Sequence, residues 1–221
     1  YGQCIDRGSK ITIYTPSNIV DPIMGWWGYY LAKIGGFNYI GRELGETRPY
    51  GSFYIYDKSK NIEGGEECLA DINRLANSDD HWVISVLAAS GANEPTFPTQ
   101  FHFTYGAKKG DETYDDPNIT LNDIATFEQI YQAFNSLLLE KYQFSADKQR
   151  YHTNASKLFF ARQLEHKLNA ISLRVAWSVT CWDMRAIQIA QDLAQIINQQ
   201  INQCDNPIVP ELKKKGIGYN A

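Results

Sequence analysis

One cysteine and one histidine in this chain have the side-chain chemistry of a nucleophile and a general base. Cys68 falls near the start of a predicted short helix, where the positive end of the helix dipole lowers the pKa of a thiol. His102 lies on a later predicted strand, and a histidine there can accept the thiol proton. Glu66 and Glu67 directly precede Cys68 and oppose this effect, because nearby negative charge raises a thiol pKa. The Cys68–His102 pair therefore stands as an alternative to a structural cysteine.

Two acids and two arginines are interleaved with glycines in the segment 41–48. Glu43 and Glu46 have the chemistry of acid–base groups, and Arg42 and Arg48 have that of an anion-binding pair. A loop closed by its own salt bridges explains the same four residues equally well. The two glutamates are thus a second candidate for hydrolase or transferase chemistry, beside the cysteine–histidine pair.

Aromatic residues are abundant, with 14 Tyr, 10 Phe and 5 Trp. One predicted helix carries Trp26, Tyr29 and Tyr30; Tyr30 falls on its buried stripe, and the other two project off it. On the strand that follows, Tyr54 and Tyr56 share one face. Aromatic rings with polar tips are favoured at recognition sites. Trp26, Tyr29, Tyr54 and Tyr56 are therefore predicted to line a binding surface, with ordinary core packing as the alternative.

Motifs for metals and cofactors are missing from the sequence. The acidic segment 111–116 lacks the spacing and the central glycine of an EF-hand loop, so it is predicted to be a solvated turn. No Walker sequence, dinucleotide fingerprint, HExxH motif or GxSxG motif occurs. The sequence therefore predicts neither a bound metal nor a cofactor.

Four cysteines at scattered positions predict two disulfides and an oxidising compartment. Cys181 and Cys204 flank the last predicted helix, whose length places their Cα atoms roughly 34 Å apart. A disulfide needs about 5.5 Å, which excludes that bond and the complementary Cys4–Cys68 bond. Two pairings remain: Cys4–Cys181 with Cys68–Cys204, or Cys4–Cys204 with Cys68–Cys181. Four buried thiols in a reducing cytosol are the alternative.

The second part of the chain is predicted to be helical. No Gly or Pro occurs from 118 to 206, and apolar residues recur there at alternating steps of three and four. Capping patterns that begin at Thr120 and Thr180 open the first and the last helix. The three apolar stripes lie at 124–138, 161–175 and 187–201.

The first part of the chain mixes strands with helices. Helices are predicted at 19–34, where two glycines follow, and at 66–76. The segment 81–88 is the most apolar of the strands and is predicted to be central in a sheet. Strands are predicted at 10–15, 51–57, 81–88 and 97–105.

Size and composition favour one folded domain. The chain has 221 residues, 43% of them hydrophobic, which is enough for a substantial core. We predict an α+β fold in which a small sheet and two helices of the first part pack against about three amphipathic helices of the second. The predicted domain covers 1–221, with a mixed subregion at 1–117, a helical subregion at 118–206 and a basic tail at 207–221.

Charge and hydropathy exclude two classes of function. The formal net charge of −4 disfavours a general nucleic-acid-binding surface, which needs an excess of basic residues. No apolar run reaches the roughly 20 residues that span a bilayer. The sequence therefore predicts no nucleic-acid partner and no membrane span.

The leading hypothesis from the sequence is a secreted or periplasmic interaction protein, toxin-like or effector-like. It would bind a protein or glycan partner through the aromatic surface, with Arg42 and Arg48 as further binding residues. The missing catalytic motifs, the even cysteine count and the surplus of aromatic residues are its basis, and the predicted disulfides place it in the extracellular or periplasmic space. The alternative is a hydrolase or transferase built on Cys68 with His102, or on Glu43 with Glu46.

Overall fold

A computed structural model describes residues 2–16, 22–42, 65–89, 99–105, 121–149, 168–182 and 184–202 of the chain. Within these ranges one mixed sheet contains the strands β1 (Gly2–Ile5), β2 (Ile11–Thr15), β3 (Asn38–Arg42), β4 (Trp82–Ala89), β5 (Phe101–Thr104), β6 (Ala146–Gln149) and β7 (Asn169–Ala176). The helices are α1 (Pro22–Gly35), α2 (Gly65–Leu75), α3 (Ile124–Leu137), α4 (Trp177–Trp182) and α5 (Ala186–Ile197). π-Helical turns, Leu138–Tyr142 and Asn198–Asn202, extend α3 and α5. The predicted α+β class is confirmed.

The strands lie side by side in the order β1-β3-β2-β4-β7-β5-β6. The neighbours β3, β2, β4 and β7 run parallel, so their carboxyl ends meet at one edge of the sheet, called the carboxyl edge below. β1 and β5 pair antiparallel with β3 and β7, and β6 runs parallel to β5. The chain goes outward from β2 to β3 and then crosses back to β4. Ligands bind outside the carboxyl ends of such sheets, where the strand order reverses, so a site is expected at the carboxyl edge.

The helices α1, α3 and α5 cover one face of the sheet. Their apolar side chains form one buried cluster with side chains of six strands, β2 to β7. Trp27 of α1 is fully buried there, and its indole Nε1 donates a hydrogen bond to the carbonyl oxygen of Ala186 at 2.9 Å. Phe134 of α3 packs edge-on against Phe101 of β5, with ring centroids 5.1 Å apart. This cluster is the main core, because it joins the first part of the chain to the second.

A second, smaller apolar cluster lies under α2 on the opposite face of the sheet. Cys68 and Ile72 of α2 pack there against Tyr14 of β2 and Ile40 of β3. α2 therefore covers the β2–β3 side of this face.

The predicted central place of the strand at 81–88 is also confirmed, because β4 is the fourth of the seven strands.

The second helix predicted for the C-terminal part is wrong over its described residues. Residues 169–176 form β7, which lies between β4 and β5. Ile171, Leu173 and Val175 alternate into the main core, as the period of two in a strand requires. The short strand β6 lies in the polar link between the first and the second predicted helix, which was expected to be a turn within the helical subregion. The C-terminal part thus contributes two strands to the sheet, in addition to helices.

Helix ends differ in detail from the predicted capping patterns. Asp123 is the N-cap of α3, since its Oδ1 accepts a hydrogen bond from the backbone N–H of Thr126 at 2.9 Å. α5 begins at Ala186, so Thr180 lies inside α4 and the cap predicted there is wrong. α1 ends as predicted, because Gly36 follows it with φ of 69°, a left-handed conformation that favours glycine.

Several predicted segments lie outside the described residues. They are the strand at 51–57, the acidic segment at 111–116, the stretch 161–167 and the basic tail at 207–221. No helix in the described ranges has both the length and the apolar sequence needed to cross a bilayer.

Candidate functional site

Charged side chains from three neighbouring strands lie at the carboxyl edge. Arg174 of β7 pairs in register with His102 of β5, and His102 pairs with Asp147 of β6. Register partners on neighbouring strands share a face of the sheet, so the three side chains stand in one row. Arg174 is two residues from the end of β7 at Ala176, which places the row at the carboxyl edge.

The row stands on the face that α2 partly covers. In the next row inward, Tyr14 pairs with Ser85, Ser85 with Ser172, and Ser172 with Thr104. Tyr14 belongs to the cluster under α2, so all members of that row face the same side. Ser172 and Arg174 are two residues apart on β7 and share this face, because side chains in a strand alternate.

His102 and Asp147 form a hydrogen-bonded pair. Nδ1 of His102 contacts Oδ1 of Asp147; the histidine is buried and the aspartate is half-buried. A carboxylate at Nδ1 holds the proton on that nitrogen and fixes the orientation of the ring, so Nε2 becomes the basic nitrogen. This is the arrangement that orients a general base in hydrolases. The pair can therefore accept a proton at Nε2 from water or from a hydroxyl group.

A hydroxyl group lies close to this pair. Ser172 is buried, and its Oγ makes no hydrogen bond within the part of the chain that the structure describes. Buried side-chain hydroxyls are normally hydrogen-bonded, so one without a partner needs an explanation, and a catalytic role is one such explanation. The candidate site therefore consists of His102, Asp147, Arg174 and Ser172.

The other described buried histidine lies at the opposite edge of the sheet. His81 immediately precedes β4, and its Nε2 is 2.9 Å from Oγ1 of Thr12. Burial lowers the pKa of His81 to about 4, so the ring is neutral at physiological pH. His81 is a satisfied core histidine with no place at the carboxyl edge.

The structure does not bring Cys68 to His102. Cys68 packs against Tyr14 on β2, and β2 is three strands from β5, which corresponds to roughly 14 Å at the usual spacing between strands. Burial raises the pKa of the Cys68 thiol to about 12, and the opposing influence of the Arg42 charge does not offset it. A thiol of this pKa is not a nucleophile at neutral pH.

The buried thiol leads to a prediction about reactivity. In the native protein at pH 8, we expect iodoacetamide to alkylate Cys68 about 100-fold or more slowly than in the denatured protein, because the thiolate is the reactive form. Quenched time points followed by peptide mass spectrometry measure this rate. Alkylation of native Cys68 at the denatured rate would show an accessible thiolate and contradict the prediction.

The predicted disulfides are wrong. Both pairings predicted from the sequence require Cys4 and Cys68 to be half-cystines, and both residues are thiols. Sγ of Cys4 accepts a hydrogen bond from Nη2 of Arg74 at 3.3 Å, and Cys68 is buried on the inner face of α2. The pairing argument also assumed one straight helix before Cys204, whereas α4 and α5 are separate helices. The side chain of Cys181 and the whole of Cys204 lie outside the described residues.

Only part of the predicted loop of acids and arginines is described. Arg42 is buried at the end of β3, close enough to Cys68 for its charge to act on the thiol. Glu43, Glu46 and Arg48 lie outside the described residues, so the loop carboxylates stay a prediction. Arg42 adds a basic residue at the carboxyl edge, on the β3 side.

The predicted aromatic surface is divided by the structure. Trp26 is exposed and stacks on Tyr30, with ring centroids 5.7 Å apart and planes 11° apart. Tyr29 is half-buried and packs edge-on against Tyr39 at 5.4 Å. Tyr54 and Tyr56 lie outside the described residues. The neighbour of Trp26 is therefore Tyr30, which the sequence analysis assigned to the buried stripe.

Sequence reasoning identified His102 but missed its neighbours. Arg174 and Ser172 fell within the predicted second helix, although alternation of apolar and polar residues from 170 to 175 was a signal for a strand. Asp147 lies in a polar segment, and nothing in its sequence context marks it. In the described ranges, no group of three or more His, Cys, Asp or Glu residues is close enough to hold a metal ion. The expectation of no metal and no cofactor stays a prediction.

Comparison with known proteins gives likenesses of structure. No protein-family model matches the sequence, and no curated protein matches it. The CwlD amidase from Clostridioides difficile, solved in complex with the GerS lipoprotein, is 11% identical with a TM-score of 0.51, over 89% of this chain and 100% of that chain. Apo Cell Shape Determinant protein Csd4 from Helicobacter pylori is 12% identical with a TM-score of 0.53, over 87% of this chain and 50% of that chain.

These likenesses correct the leading hypothesis from the sequence. Csd4, in its mDAP-bound form, is described as a D,L-carboxypeptidase, and CwlD is described as an amidase. The chain spans about half the length of Csd4. At these identities the likeness is one of fold, and it is shared with an amidase and with a D,L-carboxypeptidase. The prediction of a toxin-like or effector-like binding protein is therefore wrong, and the hydrolase alternative is favoured.

Proposed function

We propose that this chain hydrolyses an amide bond and that His102, held by Asp147, is its general base. The observation that carries the proposal is the hydrogen bond between Nδ1 of His102 and a carboxylate, at the carboxyl edge of the sheet. A base held in one tautomer accepts a proton without first reorienting, and such positioned bases contribute about 10²–10⁴-fold to a reaction rate. No comparable pairing supports a base elsewhere among the described histidines, since His81 contacts the hydroxyl of Thr12.

The proposed substrate class is cell-wall peptidoglycan. The likeness in fold to an amidase and to a D,L-carboxypeptidase of cell shape supports this class. The site adds a chemical argument, because Arg42 and Arg174 place positive charge at the carboxyl edge. Guanidinium groups bind carboxylates well, and a peptide with a free carboxylate suits an edge of this kind.

The proposed substrate also bears on partners and location. A glycan strand carries the peptides of peptidoglycan, so the glycan partner expected from the sequence becomes part of the substrate. A protein partner is proposed by analogy with CwlD, which was solved with a lipoprotein. An extracellular or periplasmic location follows, because the cell wall lies outside the cytoplasmic membrane.

The test is product analysis on purified peptidoglycan. We expect the chain to release either free peptides or peptides shortened by one residue, identified by chromatography and mass spectrometry. His102→Ala should abolish release, because no base remains. His81→Gln is the matched control, since it removes a buried histidine at the opposite edge and should keep activity within a few-fold. Absence of any released product, or full activity in His102→Ala, would refute the proposal.

A further inference from the structure

The structure assigns a nucleophile to the candidate site, and we propose that it is Ser172. The inference rests on the proposed function, which supplies a general base but leaves the attacking group open. Ser172 is about 1% exposed, and its Oγ makes no hydrogen bond within the described residues. A buried hydroxyl in that state lacks the partner that most such groups have, and catalytic sites are one place where the exceptions occur.

The sheet register places this serine beside the general base. His102 pairs with Arg174, and Thr104 pairs with Ser172, on antiparallel strands. Ser172 and His102 are therefore diagonal neighbours on one face, and Cβ atoms of such pairs lie about 7–8 Å apart or somewhat less. The two side chains share this face, and Nε2 of His102 and Oγ of Ser172 are not hydrogen-bonded to each other in the structure. Catalytic hydrogen bonds of this kind tighten when substrate is bound.

The third member of the arrangement stands on the far side of the histidine. Asp147 of β6 holds Nδ1 of His102, so Nε2 is the nitrogen that can take a proton from the β7 side, where Ser172 stands. The order across three adjacent strands is nucleophile, base and orienting carboxylate. Unrelated hydrolase folds share these roles, and the arrangement is recognised by geometry rather than by sequence position.

The chemistry then follows in two balanced steps. Oγ of Ser172 bonds to the carbonyl carbon of the substrate amide, its proton moves to Nε2 of His102, and the carbonyl electron pair moves to oxygen. The C–N bond breaks as His102 returns the proton to the leaving amine, which leaves an ester on Ser172. Water then attacks that ester and gives a proton to Nε2 of His102. The bond between the acyl carbon and Oγ of Ser172 breaks, His102 returns the proton to Oγ, and the acyl group leaves as the carboxylic acid. The positive charge of Arg174, two residues along β7, favours the oxyanion of both steps.

The experiment compares Ser172→Ala with Ser85→Ala on the same peptidoglycan substrate. Ser85 is the register partner of Ser172 on β4, equally small and also buried, and it lies one strand further from His102. We expect Ser172→Ala to lose at least about 10⁴-fold in kcat, because removing a nucleophile costs that much. Ser85→Ala should stay within about fivefold of the unchanged protein.

A fluorophosphonate probe gives a second readout that does not depend on the natural substrate. We expect a covalent adduct on the peptide that contains Ser172, and its loss in His102→Ala. Thermal melting confirms that each variant is folded. If Ser172→Ala is not folded, formation of the adduct on Ser172 in the unchanged protein, and its absence in His102→Ala, decides the question.

The outcomes separate this inference from the proposed function. Wild-type hydrolysis that survives Ser172→Ala overturns the nucleophile and leaves the function standing. Labelling of Ser172 without release from peptidoglycan supports the nucleophile and overturns the substrate class. Hydrolysis without an adduct on Ser172 overturns the nucleophile, and absence of both hydrolysis and adduct overturns both proposals.

Discussion

Replacing Asp147 with asparagine is expected to reduce the rate of the proposed hydrolysis by about 10³–10⁴-fold while the protein stays folded. The carboxylate accepts the Nδ1 proton of His102, and this contact keeps Nε2 as the base. An asparagine can present its NH₂ group to Nδ1 instead, which favours the tautomer with the proton on Nε2. That tautomer cannot accept a proton from a nucleophile, so the loss falls mainly on kcat.

The control for this change is Glu128→Gln. Glu128 and Asp147 are equally exposed, and each is paired: Glu128 contacts Nζ of Lys148, the residue that follows Asp147 on β6. Both substitutions remove one half-buried, paired carboxylate, but Glu128 lies on α3 and contacts Lys148, and only Asp147 contacts His102. Steady-state kinetics and thermal melting measure the two variants. Equal activity of Asp147→Asn and Glu128→Gln would show that the carboxylate does not act through the histidine.

Trp27→Ala is expected to cost about 3–5 kcal/mol of the free energy of unfolding. Trp27 is fully buried, and its indole joins the second turn of α1 to the first residue of α5 through the hydrogen bond to the carbonyl oxygen of Ala186. Truncation removes a large apolar side chain from the main core and leaves that carbonyl oxygen without its donor. Because the total stability of a domain is about 5–15 kcal/mol, the loss is a large share of it.

The neighbouring tryptophan supplies the control. Trp26 lies on the same helix but is 45% exposed, and its ring contact is the stack on Tyr30. We expect Trp26→Ala to cost less than about 1.5 kcal/mol, the upper range for an aromatic pair. Urea denaturation of both variants, followed by circular dichroism, measures the difference. Similar losses for the two variants would place Trp26 in the core and contradict the structure.

The position of β7 in the sheet brings the residues of the candidate site together at the carboxyl edge. β7 is parallel to β4 on one side and antiparallel to β5 on the other, so it joins the parallel part of the sheet to the β5–β6 pair. Without β7 in this position, Arg174 and Ser172 would not share a face with His102. The strand that the sequence analysis predicted to be a helix is therefore the one that assembles the candidate site.

The spacing of apolar residues was sufficient to predict those helices and strands whose sequence fits only one periodicity. The strand at 11–15 and the helix at 124–137 were predicted correctly, because alternation in the first and steps of three and four in the second had no competing interpretation. The end of α1 at the glycines was also predicted correctly, since few other residues adopt the left-handed conformation observed at Gly36. These features depend on local preferences of the backbone and on which side chains avoid water.

β7 could not be assigned in this way, because its apolar residues satisfy both periods. Residues at 164, 168, 171 and 175 fit a helical stripe, and those at 171, 173 and 175 fit a strand. Pairing with β4 and β5, and burial among them, selected the strand, since a central strand satisfies its backbone hydrogen bonds through its neighbours. Such neighbours come from distant parts of the chain.

In the candidate site too, the sequence indicated one residue, and only the tertiary structure showed the others. The sequence marked His102 as a base from its residue type and its strand, but it offered Cys68 as the partner. The contact with Asp147, 45 residues later in the chain, arises from the register between β5 and β6. Local sequence governs the alternation of side chains along each strand, whereas the order and register of strands depend on packing between distant segments. The sequence could therefore indicate the histidine as a base, but it could not indicate which residues lie beside it.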